Sequence, residues 1–255
     1  MFNNADIKFP VITDENGNKV ELTNGRYSKF MESPDRNTRK RAFKALYDTY
    51  GAYRNTLAAA YAGNVKTDKF YAEAQKYSSC LVAALYQDNV PSTVYNGLIQ
   101  TVHANIKKLT PYLELRKKML GVRKLHMYDL YVPFVKIPQK TYSFEEARGI
   151  VIEALKPLGE EYGEVLKTAF TDGWIDVHEN KGKRTGAYSW GCYGCHPYVL
   201  LNWQGTINDV FTLAHELGHA MHTYYSNEAQ PLQYAEYKIF VAEVASTCLL
   251  YTSPS

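Results

Sequence analysis

Several things are scarce in this chain. No apolar run in its 255 residues approaches the roughly 18 consecutive residues that a membrane-spanning helix needs. The N-terminal stretch lacks the apolar core of a secretion signal, so the expected location is cytoplasmic, with no membrane partner. Charge of one sign is also scarce. Twenty-nine Lys and Arg against 26 Asp and Glu leave a net charge of +3, too little to imply a nucleic-acid partner. The densest basic stretch, Arg36-Asn-Thr-Arg-Lys-Arg41, falls on a predicted helix and reads as a solvated face. There are four cysteines: Cys80, Cys192, Cys195 and Cys248. Cys192-Tyr-Gly-Cys195-His196 has the outward form of a haem-attachment motif, of half a zinc site or of a redox pair. Haem attachment needs an exporting context, and a structural zinc needs a second pair. The ordinary reading is a turn between two strands, shaped by Gly191 and Gly194.

Helical spacing dominates the first two thirds. Residues 6–13 and 18–23 form a predicted hairpin about Asn16-Gly17. Ser33-Pro34-Asp35 opens a helix with serine as N-cap, whose stripe runs through Phe43, Leu46, Tyr47, Tyr50, Leu57 and Tyr61 to Gly63-Asn64. A further helix spans about 66–78. Another starts near Asn89-Val-Pro-Ser92, with Val94, Leu98, Val102, Ile106 and Leu109 as its buried side, and Pro111 kinks or divides it. Both stripes predict core. His103, beside the second, reads as a packed or surface histidine. Residues 128–137 look extended up to Pro138. Ser143-Phe-Glu-Glu146 is a capping box, with helices expected near 144–155 and 158–170. From Trp174 the chain becomes β-prone: Trp174–Val177, Thr185–Ser189 and Tyr198–Asn202 predict a small sheet. The edge of such a sheet can accept an extended peptide through backbone hydrogen bonds. The fold class expected is therefore mainly α with a small β-sheet.

The chemistry sits after that sheet. His215-Glu-Leu-Gly-His219 has the H-E-x-x-H spacing, and residues four apart share one helix face. Two imidazoles can then approach one ion, while Glu216 can reach an ion-bound water without being a ligand. Chance alone gives such a pattern in roughly one chain in a hundred of this length. Asn208 or Asp209 is the expected N-cap. Val210, Leu213, Leu217 and Met221 are the expected buried side, and Gly218 leaves room for another element to pack close. A third ligand should come from a neighbouring element. The second helix, expected from near Tyr234 to Thr247 after a break at Asn227–Pro231, offers Glu243 within an apolar stretch, where an unpaired carboxylate is costly to bury. Glu236 competes but has more polar flanks. His222 is three residues past a candidate ligand on the same helix, either packed or hydrogen-bonded behind the site.

His-Glu-Leu-Gly-His-Ala-Met-His222 followed by Tyr237-Lys-Ile-Phe-Val-Ala-Glu-Val-Ala-Ser-Thr247 resembles the oligoendopeptidase F branch of the thimet oligopeptidase family. The similarity extends through Gly182–Ser189, Pro197–Trp203, Leu125–Pro133 and Asn4–Phe9, nearly the whole chain. The resemblance implies a zincin-like core, one zinc held by His215, His219 and Glu243, Glu216 as general base, and hydrolysis of internal bonds in short peptides. It also implies that Gly186, Ala187 and Tyr188 border a peptide channel. The family is roughly twice this length. It implies a partial catalytic domain over 1–248, helical over about 1–170 and carrying the sheet and zinc-site helices over about 171–248. The likeness is expected to stop after Thr247 or Cys248, with 249–255 reading as a non-native tail. Another H-E-x-x-H hydrolase, such as an aminopeptidase, and a non-catalytic zinc-binding fragment remain the alternatives.

Overall fold

The computed structural model describes residues 7–135 and 140–248. The expected strand start at Asp6, the end of the extended stretch at Ile137 and Pro138, and the tail 249–255 lie outside them. The chain divides into two compact units. One comprises 1–11, 21–30 and 137–255, the other 12–20 and 31–136.

The second unit is helical. The hairpin of β1 (Val11–Thr13) and β2 (Lys19–Glu21), near the boundary between the units, is closed by Asp14. Its carboxylate accepts from the backbone N–H groups of Asn16 and Asn18, and Gly17 takes φ 85°. A helix absent from the sequence reading, α1 (Asn24–Glu32), follows and falls mostly in the first unit. The next helix, α2 (Arg36–Ala52), is capped by Asp35 rather than Ser33. A carboxylate two residues nearer the helix reaches the N–H groups of Asn37 and Thr38. The chain breaks at Tyr53 and continues as α3 (Arg54–Ala74), straight through Gly63-Asn64. Helical neighbours on both sides override two weak breakers there. Next come α4 (Cys80–Tyr86), which periodicity did not suggest, and α5 (Ser92–Asn105). A 3₁₀ turn over Ile106–Lys108 leads into α6 (Leu109–Met119). The division expected at Pro111 falls just upstream, leaving the proline in the first turn of α6, where its missing N–H has no intrahelical partner to lose.

Two expectations fail in this unit. The stripe Val94, Leu98, Val102, Ile106 and Leu109 is exposed, as are Tyr47, Leu57 and Tyr61. A 3.6-residue period shows that a face is apolar, not that anything lies on it, and among the described residues no further element of this unit covers these faces. The basic stretch is a solvated face only in part: Lys40 and Arg41 are exposed, but Arg39 is not. Arg39 is buried and donates to Asp129 Oδ1 at 2.9 Å and to the carbonyls of Tyr128, Ser33 and Pro34. Arg36 pairs with Asp129 Oδ2 at 2.9 Å. Residues 127–129 form a 3₁₀ turn instead of a strand. Asp129 sits in it, fully buried, and also accepts from the His126 N–H at 3.0 Å. Burial pushes its carboxyl up, but the hydrogen bonds from Arg36, Arg39 and His126 outweigh that and hold it at about 2.

The first unit contains the principal core. In α7 (Phe144–Ala154), the Ser143 side chain accepts from the Glu146 N–H as the capping pattern predicts. After α8 (Glu160–Thr171) comes a three-stranded sheet of β3 (Ile175–Asp176), β4 (Tyr188–Trp190) and β5 (Tyr198–Leu200) in the order β3-β5-β4. β3 runs parallel to β5. β4 runs antiparallel to it, with Ser189 opposite Val199 and Trp190 opposite Tyr198. The long helix α9 (Ile207–Ala229) lays Val210, Leu213, Leu217, Ala220 and Met221 against Val151, Leu166, Trp174 and Val199 in one buried cluster. Its N-cap is Thr206, two or three residues earlier than expected. Thr206 Oγ1 accepts from the Asp209 N–H, and Asp209 accepts from the Thr206 N–H. Asp209 thus serves the cap from the third helical position.

Because Arg39 and Asp129 are both buried, removing one leaves the other's charge uncompensated. Asp129→Ala should lower stability by about 3–5 kcal/mol in urea unfolding followed by circular dichroism. A loss no larger than that of an exposed ion pair would mean that the backbone carbonyls alone satisfy Arg39.

Candidate metal centre and its buried carboxylate

α9 puts the two motif histidines on one face. Their rings lie 4.8 Å apart, nearly perpendicular. The third group comes from a shorter element than expected. After α9, a 3₁₀ turn at Leu232–Tyr234 and an extended link lead to α10 (Ile239–Glu243), which starts about five residues later than predicted. It passes into a π-helical turn over Val244–Cys248. Pro231 and the Ser226–Ala235 hydrogen bond at 2.6 Å hold the link against α9 instead of letting it coil. Glu243 closes α10. Its Oε2 is 3.8 Å from His215 Nε2 and its Oε1 is 3.8 Å from His219 Nε2. One donor atom from each of the three residues lies within 4.8 Å of the others. Glu236 is not in this group.

Gly218 makes the approach possible. A Cβ there would stand 2.7 Å from the Ala245 carbonyl oxygen and 3.0 Å from Ser246 Cα. Both are backbone atoms of the π-helical turn, so the helix and the turn meet at a separation no side chain allows. Ser246, fully buried beneath this contact, donates to Glu243 Oε2 at 3.0 Å. The sequence reading missed Ser246. Its only signal is its place three residues after Glu243, on the same side of a helical turn. Glu243 itself is about half exposed, so it is not the buried carboxylate that its apolar flanks suggested. Ile239, Phe240, Val241 and Val244 beside it are exposed too.

Glu216 is the buried one, at 7% exposure. Loss of solvent raises its carboxyl to about 7, with the Glu243 charge adding to the rise and the Ser189 N–H opposing it. The Ser189 contact ties β4, an edge strand of the small sheet, to the carboxylate. Gly186, Ala187 and Tyr188 lead into that strand. Asn202 pins them by donating to the Gly186 carbonyl at 2.7 Å and the Arg184 carbonyl at 2.9 Å. His219 is held below its usual value, first by burial and then by His215. Burial lowers His222 as well. Its ring stacks on Tyr237 at 3.8 Å, and its Nδ1 is buried without a hydrogen bond among the described residues. The Tyr237 hydroxyl is 2.6 Å from Thr223 Oγ1, so His222 and Tyr237 clamp the link that delivers Glu243.

His103, His126 and His178 are exposed. His196 is a packing residue: its ring stacks flat on Trp174 at 5.3 Å and its Nδ1 faces the Pro197 carbonyl at 2.9 Å. Cys192 and Cys195 lie on the turn between β4 and β5, as the ordinary reading of C-x-x-C expected. Among the described residues they join no third His, Cys, Asp or Glu in a cluster of metal-ligand size.

Comparison with known proteins bears on the family. The family model for Peptidase family M3 matches residues 29–251. The chain is 49% identical over 247 residues to oligopeptidase PepF of Bacillus subtilis, covering 97% of this chain and 37% of the relative. It is 45% identical to the chromosomal oligoendopeptidase F of Lactococcus lactis subsp. cremoris, covering 97% and 41%. Among solved structures it is similar to oligoendopeptidase-F from Enterococcus faecium, with TM-score 0.60, 34% identity and coverage of 98% of this chain and 37% of that one. The chain thus spans about two fifths of these relatives' lengths. With an H-E-x-x-H helix, a facing glutamate and a match over most of its residues, the chain belongs to Peptidase family M3.

Proposed function

We propose that the protein of which this chain is part is a zinc-dependent endopeptidase that cleaves short peptides. The observation that carries the reading is the convergence of His215, His219 and Glu243 beside a buried Glu216. Two neutral imidazoles and one carboxylate are the donor set of a catalytic zinc with one position left open, and their spacing fits one ion. A zinc held there supplies a Lewis acid that lowers the pKa of water towards 7 and polarises a carbonyl.

This chain's own residues do the rest. Glu216, with a carboxyl near neutrality, can take a proton from water at one oxygen and pass it to the leaving amine. The Ser189 N–H orients that carboxylate, and Ser246 orients Glu243. β4 offers a free edge, along which a peptide strand can align by backbone hydrogen bonds without regard to side-chain identity. Gly186, Ala187 and Tyr188 extend that edge and are the proposed substrate contacts. A soluble, cytoplasmic setting suits such a peptidase, and no described helix is long and apolar enough to cross a membrane.

Glu216→Gln should leave zinc stoichiometry at about one per chain and reduce cleavage of an internally quenched peptide by about 10²–10⁴-fold; surviving activity would remove Glu216 as the base. Mapping the fragments separates an endopeptidase from an aminopeptidase, which would trim from the free end. Gly218→Ala changes no donor atom, yet the overpacking should cost about 1–3 kcal/mol and weaken zinc binding in a competition titration. Unchanged zinc affinity would mean the π-helical turn can move without disturbing Glu243.

The same carboxylate predicts a pH effect in metal-free protein. Its folded pKa is about 7 against roughly 4.3 when unfolded, so the unfolded chain binds fewer protons between those values and folding is favoured at the acid end. The stability advantage of Glu216→Gln over the wild type should therefore grow as pH rises from about 4.3 to 7. A pH-independent difference would contradict the burial of an ionisable group.

A further inference from the structure

Cys192 and Cys195 take no part in the chemistry above. Their sulfurs are 2.9 Å apart, and both residues are exposed and free. The turn bearing them is fixed on both sides. The Cys195 N–H reaches the Cys192 carbonyl at 3.4 Å, and Gly194 takes φ 87°. Asn227 of α9 donates to the Cys192 carbonyl at 3.4 Å, and the Tyr193 hydroxyl donates to the Gln230 carbonyl at 3.1 Å. Gly191 lies so close to α9 that a Cβ would meet Thr223 Cγ2 at 2.9 Å. The two thiols therefore face each other on a turn braced by α9, 2.9 Å apart against the about 2.05 Å of a disulfide.

An open cleft of about 680 Å³, lined by Arg184, Tyr188, Trp190, Gly191, Cys192 and Tyr198, reaches Cys192 of the pair. It has room for a molecule of peptide size, and Arg184 offers a cation for its carboxylates.

We propose that Cys192 and Cys195 are a reversible dithiol–disulfide exchange site for low-molecular-weight disulfides of the glutathione type. Cys192 is the member of the pair that lines the cleft, so the attack starts from the Cys192 sulfur. The Cys192 thiolate attacks one sulfur of the disulfide, forming a mixed disulfide and releasing one thiolate. Cys195 gives up its proton, attacks Cys192 Sγ and expels the second thiolate. The two protein thiols lose two electrons and two protons in total, and the incoming disulfide gains them as two thiols. The second step is intramolecular, so the mixed disulfide does not accumulate.

Cys80 is the internal comparison, a lone exposed thiol at the start of α4. The chain is equilibrated in oxidised and reduced glutathione, quenched with an alkylating agent and digested, and the Cys192–Cys195 peptide is followed by mass spectrometry. The expected product is an internal disulfide carrying no glutathione. Doubling reduced glutathione at fixed oxidised glutathione should lower its oxidised-to-reduced ratio about fourfold, against about twofold for the Cys80 adduct. Cys195→Ser should stop at a mixed disulfide on Cys192. A twofold dependence with glutathione on both sulfurs would overturn the proposal. So would full alkylation of both at an oxidant level that modifies Cys80.

Discussion

The site depends on a close approach between two backbones. At Gly218 the face of α9 and the π-helical turn after Glu243 meet at a distance that a single methyl group would prevent. Everything at the candidate metal centre follows from that contact. It sets the height of Glu243 over the two histidines, buries Ser246 where it can hold the carboxylate, and fixes the end of α10. The H-E-x-x-H spacing supplies two donors by helix geometry alone; the third is delivered by the missing side chain at the motif's fourth position.

A second constraint is the burial of Glu216. The core beneath α9, built from Leu213, Leu217 and Val199 among others, leaves this carboxylate little water, with the Ser189 N–H and the Glu243 charge acting on it in opposite directions. The result is a carboxyl that titrates near neutrality. Packing for stability and a near-neutral titration are thus one arrangement, in which the sheet contributes a backbone donor and the helix contributes the carboxyl. The buried Asp129 in the other unit shows the opposite outcome of similar burial. Two guanidinium groups face it, and its carboxyl stays at about 2.

What the residues alone disclosed followed from short-range rules. Helix periodicity, the Ser143 cap and the β-prone stretches after Trp174 anticipated α7, α8, α9 and the three-stranded sheet, because each is decided within a few residues. The positions of His215, His219, Glu216 and Gly218 were legible for the same reason. Features set by distant partners were not. The burial of Arg39 depends on Asp129, ninety residues away, so a basic run on a helix looked solvated. The exposed stripe of α5 shows the converse: periodicity marks an apolar face and is silent on what covers it. Glu243 was found through its apolar flanks, yet it is half exposed and its neighbours Phe240 and Val241 are exposed as well. Its place beside His215 and His219 is therefore not owed to burial.

X-ray absorption at the zinc edge, on protein loaded with one equivalent of zinc, tests the centre most directly. The account predicts a first shell of nitrogen and oxygen at about 2.0–2.2 Å, with imidazole scattering from two histidines and no sulfur. Sulfur at about 2.3 Å would place the metal on Cys192 and Cys195 and contradict the assignment to His215, His219 and Glu243.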